Sequence, residues 1–214
     1  MFISFEGVEG AGKTTVIQAV AQRLKTRGIQ VLVTREPGGS DLGQTLRKLL
    51  LNCSTELDPM AELCLFLADR AQHVSGVIRP ALERGDVVLC DRYIDSTIAY
   101  QGYARGLDLK ELQALTSIAA HGLQPDLTLL LDLPVELGLE RMAARRVQLN
   151  TSDEGRFDLE KLTFHKAVYN GFKAIAAREP ERVHTINAAL SKEDVLSLCL
   201  AEIDRILPVS CQQH

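Results

Sequence analysis

Five short apolar runs of strand length recur along the chain, separated by stretches whose apolar residues fall at helical spacing. The runs are 2–5, 29–34, 87–91, 127–132 and 183–187. Runs 87–91 and 127–132 are apolar on both faces until a closing aspartate, which is the pattern of a covered parallel strand and not of an exposed edge. Val16, Ile17, Val20 and Leu24 predict a first helix, with Gly28 as its C′ residue. Ser40 or Asp41 caps a second helix carrying Leu42, Leu46, Leu49 and Leu50. A long helix is expected from Pro59 to about Arg79, where Pro80 should bend or end it. Further helices are expected near 95–104, 108–121, 135–147, 158–178 and 191–207. Residues 148–156 are polar and without period and read as a mobile loop, and the residues after Pro208 should fray.

Strands alternating with helices predict an α/β fold: a three-layer sandwich with a five-stranded parallel sheet and helices on both faces. In such folds ligands gather beyond the carboxyl ends of the strands. The 214 residues suit one domain, 1–207, followed by a flexible tail, 208–214.

The first strand end changes the picture from architecture to chemistry. Gly7-Val8-Glu9-Gly10-Ala11-Gly12-Lys13-Thr14 is a G-x-x-x-x-G-K-T loop between a strand and a helix, followed by Thr15. Its glycines let successive N–H groups converge into an anion-binding nest, and the helix adds its positive end. Residues Gly7 to Thr15 are therefore the expected triphosphate site of a P-loop NTPase fold. Lys13 reaches the terminal phosphates there, and the Thr14 hydroxyl offers a ligand for Mg²⁺.

Composition narrows the partners. A formal net charge of −4 argues against non-specific nucleic-acid binding, so any second anion site needs a local arginine cluster. No apolar run approaches membrane-spanning length, and Met1 leads almost directly into the first strand. The five cysteines show no C-x-x-C spacing; Cys53, Cys64, Cys90 and Cys199 read as buried hydrophobes and Cys211 as a tail residue. That usage suits a reducing cytoplasm.

Arginines do stand where a second anion would lie. The third strand ends in Asp91-Arg92-Tyr93, with Asp91 placed to organise Mg²⁺ and Asp132 as its competitor. Arg92, Arg35 after the second strand and Arg47 on the second helix offer planar forks suited to a phosphate group.

Five elements then carry a resemblance. Phe5 to Thr14; Thr34-Arg35-Glu36-Pro37-Gly38-Gly39; Phe66 with Asp69-Arg70-Ala71-Gln72-His73; Asp91-Arg92-Tyr93 with Ser96 and Thr97; and Ala99-Tyr100-Gln101-Gly102 together resemble bacterial thymidylate kinases from Met1 to Leu207. The resemblance implies ATP-dependent phosphorylation of dTMP to dTDP with Mg²⁺, usually by a homodimer. It places thymine on Phe66 and Arg70, which share one helix face. Arg35, Glu36, Pro37, Arg47, Arg92, Ser96 and Thr97 complete the acceptor site, with a cis bond expected at Glu36-Pro37. Glu9, odd beside phosphates, makes sense against the sugar 3′-hydroxyl or Mg²⁺. Tyr100 is expected to close the pocket beneath the sugar, and Gln101 to reach the base.

The acceptor is already a good nucleophile, because a phosphate monoester is mostly dianionic at pH 7. Catalysis then reduces to positioning and charge neutralisation, with Lys13 and Arg92 at its centre. The resembled family carries basic residues in a lid where its phosphate loop lacks an arginine; positions 8–11 hold none, so the resemblance implies a lid over 141–156 that supplies one: Arg145 first, then Arg141 and Arg156. Two departures from the pattern are Asn187, where relatives often carry Asp, and the polar dilution of the lid. A kinase for another nucleoside monophosphate or a deoxynucleoside, and a nucleotide-gated switch without an acceptor, are the rival readings. A GTPase is disfavoured because no Asn-Lys-x-Asp element occurs.

Overall fold

A computed structural model describes residues 1–53, 56–149 and 156–207. Five strands, β1 (Phe2–Glu6), β2 (Val31–Arg35), β3 (Val87–Asp91), β4 (Leu127–Asp132) and β5 (Val183–Asn187), form one parallel sheet in the order β2-β3-β1-β4-β5. The sheet is the P-loop NTPase arrangement expected from the alternation of elements. β1 is buried at every position, whereas edge strand β2 is partly exposed throughout, which is why only the inner strands read as apolar on both faces.

Odd and even strand positions feed two cores. Ile3, Phe5, Leu89, Leu129 and Leu131 pack against α1 (Lys13–Thr26) and α9 (Lys192–Ile206). On the opposite face, Phe2, Val88 and Cys90 pack with Val74, Ile78 and Tyr93, while Leu130 and Val183 pack with Leu63 of α3 (Pro59–His73) and Phe172 of α8 (Leu162–Arg178). The remaining helices are α2 (Asp41–Asn52), α4 (Arg79–Glu83), α5 (Ile94–Thr97), α6 (Leu109–Ala119) and α7 (Val135–Leu149). Ser40 is the cap of α2, accepting from Gly43 N at 3.0 Å.

Three local expectations are corrected. Pro80 neither ends nor breaks its helix, because Val74–Ile78 opens into a wide π turn, closed by a bond from Arg79 N–H to Val74 O. Pro80 then falls in the first turn of α4, where its missing N–H costs nothing. Second, α8 starts at Leu162, because Arg156–Leu159 forms its own 3₁₀ turn. Third, Cys64 is exposed and Cys53 only partly buried, leaving Cys90 and Cys199 as the buried thiols. Residues 150–155 of the expected mobile loop and the tail 208–214, with Cys211, lie outside the described residues.

The sheet holds the glycine loop by backbone contact. A Cβ on Gly10 would lie 2.2 Å from Gly138 O, and one on Gly138 in α7 would lie 2.4 Å from Glu9 O. Loop and helix thus touch main chain to main chain, leaving no flexible side chain to yield. Gly138→Ala should gain about 1 kcal/mol of helix propensity and lose more to the clash. Net destabilisation of about 1–2 kcal/mol is expected, read as a lower urea midpoint at unchanged m-value.

Candidate active site

The loop after β1 presents an unclaimed helix end. Gly12, at φ 90°, stands at the N-cap of α1 without a side-chain cap, and the first turn carries no acidic residue. The first amides of α1 are therefore open to an anion. Buried Lys13 folds back, its Nζ donating to Gly7 O at 2.9 Å and Val8 O at 3.0 Å. Burial and nearby Arg92 push the Lys13 ammonium down to about 8, against Asp91, Glu9 and Glu6, which favour its charge. One residue on, Thr14 Oγ1 donates to Asp91 Oδ2 at 2.9 Å, so the expected metal pair is in contact across two strand ends. Asp132 is engaged elsewhere, accepting from Lys173 at 2.8 Å.

Asp91 sits at the end of β3, and the chain turns there through Arg92 at φ 69°. A non-glycine residue in that region costs about 1–2 kcal/mol, so something must hold it. Glu6 does: wholly buried at the end of β1, it accepts from Tyr93 N at 2.8 Å and from Ser96 Oγ at 2.6 Å. The turn aims Arg92 into the gap between loop and acceptor side. Its Nη1 donates to Gly7 O and Ser96 Oγ, both at 3.1 Å, and its Nη2 to Glu9 Oε1 at 2.9 Å. Glu9 Oε2 accepts from Tyr100 Oη. Burial opposes ionisation of Glu9, but Arg92 and Lys13 overcome it and hold the carboxyl below its usual range. Arg92 and Tyr100 thus hold the Glu9 carboxylate within the loop.

Beyond Glu9 opens a cavity of about 310 Å³. Glu36, Pro37, Arg47, Phe66, Arg70, Arg92, Ser96, Thr97, Tyr100 and Gln101 all line it, joined by Tyr93 and Phe157. One wall is the turn after β2, where the Glu36-Pro37 bond is cis. Glu36, itself buried, accepts from Arg70 Nε and Nη2, both at 2.8 Å, and from His73 Nδ1 at 3.0 Å. His73 Nε2 meets Thr34 Oγ1 at 2.6 Å. Arg70 is 1% exposed and its Nη1 has no partner, a donor held ready at the cavity wall. Arg47 Nη1 spans to Pro37 O at 2.9 Å, and burial, with Arg35 and Arg92 nearby, lowers its pKa.

A cavity built for an anion at one end and a flat ring at the other therefore abuts a triphosphate loop, with Arg92 touching both. A family model described as thymidylate kinase matches residues 5–198. The chain belongs to the thymidylate kinase family. It is 56% identical to a thymidylate kinase of Desulfovibrio desulfuricans over 97% of this chain and 96% of that one. It is 52% identical to one of Solidesulfovibrio magneticus over 97% and 100%. A solved thymidylate kinase from Ehrlichia chaffeensis superposes with a TM-score of 0.74 at 33% identity, covering 95% of this chain and 97% of that one. Thymidylate kinases move the γ-phosphoryl of ATP to dTMP, giving dTDP, and that is the reaction this geometry serves.

Two arginines fall outside the expected cluster. Arg35 is exposed in a neighbouring groove with Thr14 and Gly39, because the last residue of an edge strand points its side chain past the sheet. Arg156 is not among the residues lining the cavity and is anchored with Nε on Leu50 O at 3.2 Å and Nη2 on buried Glu62. In α7, Arg141 Nη1 holds Ala188 O at 3.1 Å, while Arg145, one turn on, is exposed. Asn187 caps the turn after β5, its Oδ1 accepting from Ala189 N at 3.0 Å.

Sequence reading gave no site role to Glu6, Glu62, Tyr93 or Phe157. Glu6 carried the same signal as Asp91, a carboxylate closing an apolar strand; the others had no local signal. Burial and Asp95 push the Glu6 carboxyl up to about 7, against Arg92 and its hydrogen bonds. A raised carboxyl pKa means the folded state holds the extra proton, so its contribution to stability is lost as pH rises from 4.5 through 7. Relative to Glu6→Gln, the wild type should lose about 3 kcal/mol across that window and stay level above it. Urea unfolding of both proteins from pH 4.5 to 8 checks the sign.

Proposed function

We propose that the glycine loop holds ATP and the 310 Å³ cavity holds dTMP, in line for direct phosphoryl transfer. The single observation that supports this reading is the reach of Arg92, which hydrogen-bonds Gly7 in the loop and lines the acceptor cavity. A guanidinium there neutralises both phosphates as they approach, which ordinary repulsion would otherwise oppose. The acceptor phosphate sits against Arg92 and Arg47, and Arg35 draws it from the rim. The ring stacks on Phe66 under the Arg70 donor, with Ser96, Thr97 and Tyr100 around the sugar. Tyr100, held by Glu9, fills the space a ribose 2′-hydroxyl would need.

Lys13 and the amides Gly7 to Thr15 take the triphosphate. Thr14 and Asp91 suit a hard cation: a hydroxyl and a carboxylate 2.9 Å apart leave the remaining positions to phosphate and water oxygens, as Mg²⁺ prefers. When bound, the ion supplies charge neutralisation at the phosphates. Arg145 is the lid arginine of this proposal, with Arg141 holding the base of α7 to the turn after β5. The working unit is proposed to be residues 1–207, as a homodimer in the cytoplasm, a setting that the exposed Cys64 thiol favours. Among the described residues no helix is long and apolar enough to cross a membrane.

A coupled ADP-release assay across nucleoside monophosphates tests the reading. Turnover of dTMP well above dCMP, AMP and UMP is expected, and ATP hydrolysis without any acceptor would instead favour a nucleotide-gated switch. Arg92→Ala should lower kcat by about 10³-fold while the Kd for a non-hydrolysable ATP analogue changes little. Equal losses in both would put Arg92 on the wrong nucleotide.

A further inference from the structure

Gln101 lines the acceptor cavity with a side chain that has two chemically opposite ends. Which end faces the ligand is settled behind it. Gln101 Nε2 donates to Glu62 Oε1 at 2.7 Å. Glu62, on α3, is wholly buried, and its other neighbours are donors too: Arg105 through Nε at 3.4 Å and Nη2 at 3.3 Å, and Arg156 through Nη2. A carboxylate in such company only accepts, so it draws the amide's NH₂ toward itself. The end that remains for the cavity is the carbonyl oxygen, an acceptor. Arg70, which is also buried and lines the cavity, has an unpartnered donor in Nη1.

We propose that Glu62 is a specificity-determining positioning residue: by fixing the polarity of the Gln101 amide, it makes the acceptor cavity select 4-oxo pyrimidines over 4-amino ones. The inference rests on the reading above, that this cavity holds dTMP. A 4-oxo pyrimidine offers a carbonyl acceptor beside an N3–H donor, the complement of the Arg70 donor and the Gln101 acceptor. Cytosine offers the reverse, a 4-amino donor beside an N3 acceptor, and mismatches both. A buried polar group facing the wrong partner loses its hydrogen bond outright, which is why polar sites discriminate more sharply than apolar ones. A neutral amide at position 62 either accepts or donates, so it no longer dictates how Gln101 turns, and an N–H can then meet cytosine N3.

The test is kcat/KM for dTMP and dCMP with Glu62→Gln, in the full chain. The proposal expects the dTMP/dCMP ratio to fall about tenfold or more, with kcat for dTMP moving less than KM. Glu62 also faces two arginines, so this variant risks the fold. Glu62→Asp keeps the charge, withdraws the carboxylate from Gln101, and should lower the same ratio by less. A folded variant that loses kcat/KM equally for both substrates overturns the proposal, since that is what a purely structural carboxylate would give. Gln101→Leu and Arg70→Ala separate the two levels. If neither moves the ratio, the cavity does not read the base at all. If they move it while Glu62→Gln does not, the assignment to Glu62 alone fails.

Discussion

The contact between Arg92 and Glu9 joins the two halves of the site. It lies where β1 and β3 end side by side, so a single guanidinium touches the glycine loop, the sugar side of the cavity and the start of α5. A half-buried charge pair of this kind adds little net stability, because desolvation offsets much of its attraction, yet removing one partner strands the other. Its value is positional. Arg92 is charged under all conditions, raised further by Glu9 in spite of burial, and its place is fixed by a left-handed turn that Glu6 pins from the next strand. Folding meets the strain at φ 69°, and the strand end is left with a cation already in place.

The acceptor wall repeats the design at a second scale. Arg70 is held by Glu36, Glu36 by His73, and His73 by Thr34, all at the edge where β2 meets α3. Gly39 has no side chain because His73 Nε2 would lie 2.2 Å from its Cβ. This chain satisfies every nitrogen of Arg70 except Nη1. A buried unsatisfied donor costs on the order of 1–3 kcal/mol, and an acceptor that met it would recover that energy. Neighbouring Asp69 is pushed up to about 6, first by burial and then by Glu36.

Much of this was legible in the order of residues because the signals were local. Strand, glycine loop and helix are consecutive, and the loop's chemistry needs only backbone amides and the lysine that follows. Phe66 and Arg70 share a face because a helix repeats every 3.6 residues. Glu36, Pro37, Arg47, Phe66, Arg70, Arg92, Ser96, Thr97, Tyr100 and Gln101, expected around an acceptor, line one cavity. Tyr100 and Gln101, adjacent in sequence, line it together within the π turn Ile98–Ala104, a geometry that no spacing rule announces. Arg156 looked like a lid residue because it follows a polar stretch, but its partner, Glu62, lies 94 residues away.

What the sequence determined by itself was the alternation of strand and helix, the phosphate nest, and the identity of the groups gathered at the strand ends. Those follow from backbone periodicity and from side-chain chemistry, which every residue carries wherever it is placed. The tertiary structure decided which groups are spent on one another and which are left for a ligand. Arg35 and Arg92 are the same residue type at the ends of neighbouring strands, yet one is exposed and the other is half-buried against Glu9. Pairing of charges depends on distance and dielectric, and both are set by long-range packing.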